Sequence, residues 1–197
     1  MIRIFIPLLI LFTSVCFSQN VIINELDVDT DGVDDKEFIE LKTPYSNTPL
    51  NGLVMVVFNG SSSGSNQSYN AYNLDGIVTD VNGIAVLGGP ELTPSADVGL
   101  STNFFQNGTD AVGIYLGDET DFPDQTLATT TNLVDAIVYE TSDAENTTLQ
   151  NLLGLSQQIN EDENGQKDTQ SMQRANDGSW YVADPTPKQL NDGSGVI

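Results

Sequence analysis

Histidine is absent from these 197 residues, cysteine occurs once, and six lysines and arginines stand against 28 acids. Each shortage excludes something. Without histidine there is no Ser-His-Asp triad, no Cys-His pair and no His-based zinc motif. The one cysteine, Cys16, sits in the N-terminal apolar segment, so the rest of the chain has no disulfide to brace it. A domain exposed to an oxidising exterior without disulfides relies on its core or on bound metal. Beyond the N-terminal segment the basic residues are Lys36, Lys42, Lys167, Arg174 and Lys188, scattered among acids. Nucleic acids and anionic membranes are held by clustered cations, so neither is an expected partner. The formal net charge of −22 reads first as solubility in a salty exterior. No segment after the N-terminus is apolar enough to span a bilayer.

Residues 1–18 read as a secretory signal peptide. Arg3 is its positive charge, residues 4–12 are apolar apart from Pro7, and Cys16-Phe17-Ser18 supplies a cleavage site after Ser18. The alternative, a lipid-anchor cysteine at Cys16, is disfavoured by the bulk of Val15. The remaining chain divides into one domain, 19–191, long enough for a real core, and a frayed tail, 192–197. The expected location is outside the cell or on its surface.

One pattern occurs twice. Asp27, Asp29, Asp31 and Asp35 occupy relative positions 1, 3, 5 and 9 around Gly32, and Asn160, Asp162, Asn164 and Asp168 repeat the spacing around Gly165. Oxygen ligands at this spacing, with glycine at the sharp turn, are how a short loop wraps Ca2+. Position 12, where such a loop takes a bidentate Glu, is Phe38 in the first and Ser171 in the second. The first loop, flanked by Glu37 and Glu40, reads equally as a Ca2+ site or a solvated hairpin tip. The second leans toward a plain surface turn. A third acidic stretch, 118–124, has no ligand spacing and reads as a solvated loop with Phe122 folded back onto the domain.

Short runs rich in Val, Ile, Phe and Tyr predict strands over 21–26, 37–42, 53–58, 84–87, 111–116 and 134–139. Asn82-Gly83, between 77–81 and 84–87, predicts a two-residue hairpin with positive φ at both turn positions, and Asn107-Gly108 precedes the 111–116 run in the same way. Residues 60–68 read as a flexible Gly/Ser loop. One helix is expected, capped at Ser142 or Asp143, with acids in its first turn, Leu149, Leu152 and Leu153 on its apolar face, and Gly154 at its end. The lone Trp180 is expected in the core rather than on a binding platform with Tyr181, and Tyr69 with Tyr72 is the other candidate platform. Together these features predict an all-β sandwich with one short helix in a late loop.

Several segments in this order look familiar: Ile23-Asn24-Glu25, Glu37-Phe38-Ile39-Glu40-Leu41, Leu50-Asn51-Gly52-Leu53, Thr109 to Tyr115, Val134 to Tyr139, Ser171-Met172-Gln173-Arg174 and Pro185-Thr186-Pro187. The set resembles the lamin tail domain family, in its secreted bacterial branch. The resemblance implies an immunoglobulin-like sandwich that binds or supports rather than catalyses. It carries over nothing of the nuclear envelope, because this chain has a leader, long insertions and an acidic surface. The expected function is a secreted, non-enzymatic binding or structural module, stabilised by calcium, whose partner is an extracellular protein or glycan. The alternatives are a carboxylate-based hydrolase acting on polysaccharide, which needs two buried acids facing across a cleft, and an accessory piece of a cell-surface system.

Overall fold

A computed structural model describes residues 20–192. The expected leader and residues 193–197 of the expected tail lie outside the described residues. In chain order the strands are β1 (Ile22–Asp27), β2 (Phe38–Lys42), β3 (Leu53–Asn59), β4 (Gln67–Asn73), β5 (Ile84–Gly88), β6 (Val98–Gly99), β7 (Asp110–Leu116), β8 (Leu133–Glu140), β9 (Ile159–Asn160), β10 (Ser171–Arg174) and β11 (Trp180–Ala183). Helix α1 (Thr147–Leu153) lies between β8 and β9. One sheet runs β11-β10-β1-β2-β5-β6, the other β4-β3-β7-β8-β9. The all-β sandwich with one short helix in a late connection is therefore the fold.

Apolar layers fill the space between the sheets and cover the outside of the second sheet and part of the outside of the first. Between the sheets, Ile23, Leu26, Ile39 and Leu41 meet Met55, Val57, Val112, Ile114 and Ile137. On the outside of the second sheet, Val54, Val56, Phe58, Tyr115 and Val138 are covered by Phe122 and by Leu149 and Leu153 of α1. On the outside of the first, Phe38, Ile84 and Val86 lie under Leu92, with Leu190 beside them. This is why β3 reads Leu-Val-Met-Val-Val-Phe without polar alternation: alternate side chains enter different apolar layers. Each such side chain, fully buried, contributes about 1.5–3 kcal/mol.

Several local expectations are corrected. Residues 77–81 form no hairpin strand with β5. They lie against 47–50, with Leu50 N–H donating to Ile77 O and Thr79 N–H to Thr48 O, while β5 pairs with β2. At the turn only Gly83 has positive φ, not Asn82; Asp80 holds the turn by accepting the Asn82 and Ile84 N–H groups on Oδ1. Helix α1 starts three or four residues later than expected, capped by Asn146, whose side chain accepts from Leu149 N–H, and with no acid in its first turn; it ends at Gly154 in the left-handed conformation. Residues 60–68 are a closed turn rather than a loose loop, and β4 already begins at Gln67. Phe122 does fold back, its ring 4.6 Å from that of Tyr115. Trp180, half-buried on edge strand β11, packs against the margin of the central core, and the Arg174 guanidinium lies 4.8 Å over its ring. Tyr69 and Tyr72 pack against the central core instead of forming a platform.

One polar bolt ties the sheets together. Asp135 on β8 accepts both guanidinium nitrogens of Arg174 on β10, at 3.0 and 3.1 Å, and its Oδ2 also accepts the Ile23 N–H of β1 at 2.7 Å.

Candidate functional site

β1 ends and β2 begins at one end of the sandwich, and so do the β3–β4, β8–β9 and β9–β10 connections. Hydrogen bonds lace these loops together. Asp31 N–H donates to Asp168 O at 3.1 Å, and Asn103 N–H to Asp34 O at 2.8 Å. Asn107 Nδ2 reaches Asp34 Oδ2, Thr109 Oγ1 reaches Ala144 O, and Asn146 Nδ2 reaches Gly60 O. The acids of 28–37, 141–146 and 160–168 therefore share one face, opposed there only by Lys36 and Lys167.

The two loops singled out by their spacing come together here, but not as two wrapped ions. Lys167 Nζ pairs with Asp29 and, at 2.8 Å, with Asp168, so an ammonium of the second loop neutralises a carboxylate of the first. Asp31 is exposed and Asp35 half-buried. Asn160 Oδ1 accepts the N–H groups of Ser142 and Asp162. Asp162 accepts from Ser142 Oγ and Lys167 N–H, and these bonds lower its pKa. Asn164 donates to Gln170 Oε1 and Val182 O. Among the described residues no three acidic side chains already form a metal-chelating array.

Beneath these loops lie acids that the spacing does not mark. Asp27 is 5 % exposed, Glu37 1 % and Glu161 0 %. Glu161 Oε1 accepts the Val28 N–H at 3.0 Å, directly after Asp27 in the chain. Glu37 Oε2 accepts the Phe104 N–H at 2.8 Å, with the Phe105 N–H beside it. Among the described residues no aligned donor reaches Asp27 Oδ1, Glu161 Oε2 or Glu37 Oε1. Burial pushes the Asp27 carboxyl well up, helped by the charges of Glu25, Glu37, Asp29 and Asp34. Burial and then the Asp27 charge do the same to Glu161, and burial with the Asp34 charge takes Glu37 to about 8. Asp27 also walls a cleft of about 420 Å³, together with Asp31, Glu91 and Asp168.

A second buried group on the outer face of the first sheet is the converse case. Glu25 and Glu40 are opposed residues on β1 and β2. Glu25 Oε1 accepts from Ser171 Oγ at 2.6 Å and Thr186 N–H at 2.7 Å, and Oε2 accepts from Thr186 Oγ1 at 2.7 Å. Glu40 Oε1 accepts from Asn24 Nδ2 and Oε2 from Lys188 N–H. Asn191 Nδ2 donates to Asn24 O and to Arg174 O. Burial raises both carboxyls, Glu40 to about 8. These acids, wholly buried, hold the C-terminal segment, 184–191, as a strap across the sheet.

A third acid, Asp110, lies in the wall of a polar cleft of about 540 Å³ formed by 60–62, 106–110 and 143–148. Its Oδ1 accepts the Gly60 N–H at 2.9 Å, and burial, with the Asp143 charge adding to it, raises its pKa to about 7.

No helix among the described residues is long and apolar enough to cross a membrane. No protein family, curated protein or solved structure matches this chain.

Proposed function

We propose that this chain is a secreted, non-enzymatic binding or structural module that holds a protein or glycan partner outside the cell through its acidic loop end. The observation that carries the reading is the gathering of the long loops into one hydrogen-bonded face, with a polar cleft in it, on a rigid two-sheet frame. Binding residues concentrate on loops positioned by such a scaffold. Acids dominate the face, so a partner presenting basic groups is favoured and the association weakens with salt. The expected location rests on the leader-like N-terminus. Membership of the lamin tail domain family is part of the same proposal. Its support is that Asn24, Glu25, Glu40, Ser171, Gln173 and Thr186, drawn from four of the motifs that suggested the family, lie in one polar network.

The test is capture from the native exterior by the immobilised protein, beside a glycan array, with the parent and an Asp34→Asn/Asp35→Asn/Asp143→Asn variant. Retention by the parent that falls for the variant and in salt is expected; equal retention by both overturns the placement of the face. The hydrolase alternative has one buried acid of raised pKa, Asp110, in the 540 Å³ cleft, where the other acids, Asp143 and Glu145, are not buried. Release of reducing sugar from any polysaccharide, abolished by Asp110→Asn, would make the chain an enzyme.

A further inference from the structure

We infer that the space between β1, β2 and the β9–β10 connection is a site for one divalent cation of the calcium type, held by Asp27 and Glu161 with Glu37 and Asp29 completing it. This ligand set differs from either spaced loop: only Asp27 and Asp29 belong to the pattern, while Glu37 and Glu161 fall outside it. The inference does not depend on which partner the module binds.

Charge and donors carry it. Asp27 and Asp29 at the end of β1, Glu37 before β2 and Glu161 after β9 lie near enough that the charges of Glu37 and Asp29 act on Asp27 and that of Asp27 on Glu161, and among the described residues Lys167, on Asp29, is the one cation paired with any of the four. Asp27 and Glu161 are each more than nine-tenths buried, and each has an oxygen that no donor among the described residues reaches. A buried carboxylate oxygen without a donor is strongly disfavoured unless a proton or a cation meets it. Oxygen-only ligands from flexible segments suit Ca2+, which accepts variable number and geometry, better than Mg2+, which holds to an octahedron and its waters. Asp27 opens onto a cleft that it shares with Asp31, Lys36 and Asp168, which gives solvent ions access to it. Closing on the ion takes side-chain rotation, since no three of these acids chelate as they stand. Asp29 has to leave Lys167, whose ammonium then keeps Asp168.

Titration of chelator-stripped protein with CaCl2 by calorimetry at pH 7.5 reads the site. One ion per chain is expected, with a higher melting temperature and a weaker response to MgCl2. Asp27→Asn and Glu161→Gln keep the side-chain shapes and remove a charge. Each should weaken Ca2+ by more than about a hundredfold, beyond the roughly 10–100-fold that loss of a supporting outer-shell contact costs, and in chelator each should melt no lower than the parent because repulsion is relieved. Glu37→Gln, on a separate segment, is the independent third variant and should weaken binding too. Asp31→Asn and Asp162→Asn should bind as the parent does. Lys167→Met, which frees Asp29, should bind more tightly. Three results overturn the inference: no calcium binding at millimolar concentration, binding indifferent to Asp27→Asn and Glu161→Gln, or binding abolished by Asp31→Asn or Asp162→Asn, which would return the ion to the spaced loops.

Discussion

Stability should fall as the pH rises from 5.5 to 8, the reverse of ordinary acid denaturation, and Glu40 shows why. It is wholly buried, and burial first, then the Glu25 charge, takes its carboxyl from 4.5 to about 8. A folded chain that keeps this proton is favoured over an unfolded chain that has released it. The contribution is complete below 4.5 and is lost as the pH climbs through about 8. Each pH unit in that window removes up to about 1.4 kcal/mol, so pH 5.5 to 8 has a ceiling of about 3 kcal/mol for Glu40 alone, and relaxation of the strap brings this nearer 2 kcal/mol. For a chain of this size that is a drop of roughly 4–8 °C in Tm. Glu37 shifts in the same direction to about 8 and Asp110 to about 7, so both steepen the fall. The assay is urea unfolding in chelator at constant ionic strength. Glu40→Gln removes the titration and should flatten part of the slope, at a cost of about 1–3 kcal/mol at every pH because its amide nitrogen meets one of two donors, Asn24 Nδ2 or the Lys188 N–H. Calcium should flatten the part owed to Asp27, Glu37 and Glu161 and leave Glu40's share, because Glu40 lies under the strap. Stability that is level or rises toward pH 8, or a Glu40→Gln slope equal to the parent's, refutes the reasoning.

Arg174→Ala should cost about 3 kcal/mol, as breaking a mostly buried pair leaves Asp135 uncompensated; urea unfolding checks the size, and Trp180 fluorescence should shift as the guanidinium leaves its ring. Asn146→Ala removes the α1 cap and the bonds to Gly60 O and Asn66 Oδ1, a loss of about 1–3 kcal/mol in the same unfolding assay. Gly89→Ala sets a Cβ 2.3 Å from Asp35 O, so it should lower Tm and, by displacing the base of the first acidic loop, weaken calcium in the calorimeter. Duplex DNA should show no binding at physiological salt in a fluorescence anisotropy titration, since 28 acids leave no cationic track for phosphates.

The central strands were legible because their residues leave no choice. A run such as Leu-Val-Met-Val-Val-Phe, bounded by Asn-Gly turns, is too short for a buried helix and too apolar for a loop. β4 was not legible: Gln-Ser-Tyr-Asn-Ala-Tyr-Asn is an edge strand with one side paired, so it needs no apolar alternation. β10 was missed for another reason. Its outer face is Ser171 and Gln173, buried but polar, because it lies under the strap and bonds to Glu25. The helix cap shifted from Ser142 or Asp143 to Asn146 because 141–145 is already committed elsewhere, with Ser142 bonded to Asn160 and Asp162. At the loop end, spacing selected residues by their distance along the chain, whereas burial selects by direction. In the second loop it chose Asn160 and Asp162 and passed over Glu161, the fully buried acid between them. The pairing of that carboxylate with Val28 spans more than a hundred residues and has no signature in either segment.

The two buried acid groups of the first sheet differ in donors, not in burial or in residue type. Glu25 and Glu40 have a donor on each carboxylate oxygen, several of them from the strap, so their charge or proton is resolved by the fold and their work is to close the C-terminal segment onto β1 and β2. Asp27 is two residues along β1 from Glu25, yet its Oδ1 and the Oε2 of Glu161 meet no donor among the described residues. Repulsion between like charges cannot be what keeps these side chains turned inward, since it acts against their burial together. Something must reward the inward position, and for acids the choice is a proton or a metal ion. The two leave opposite signatures. If protons hold the site, Asp27→Asn and Glu161→Gln stabilise the protein at neutral pH whether or not calcium is present. If an ion holds it, the same substitutions help only in chelator and are a loss once calcium is added, and that change of sign separates the two.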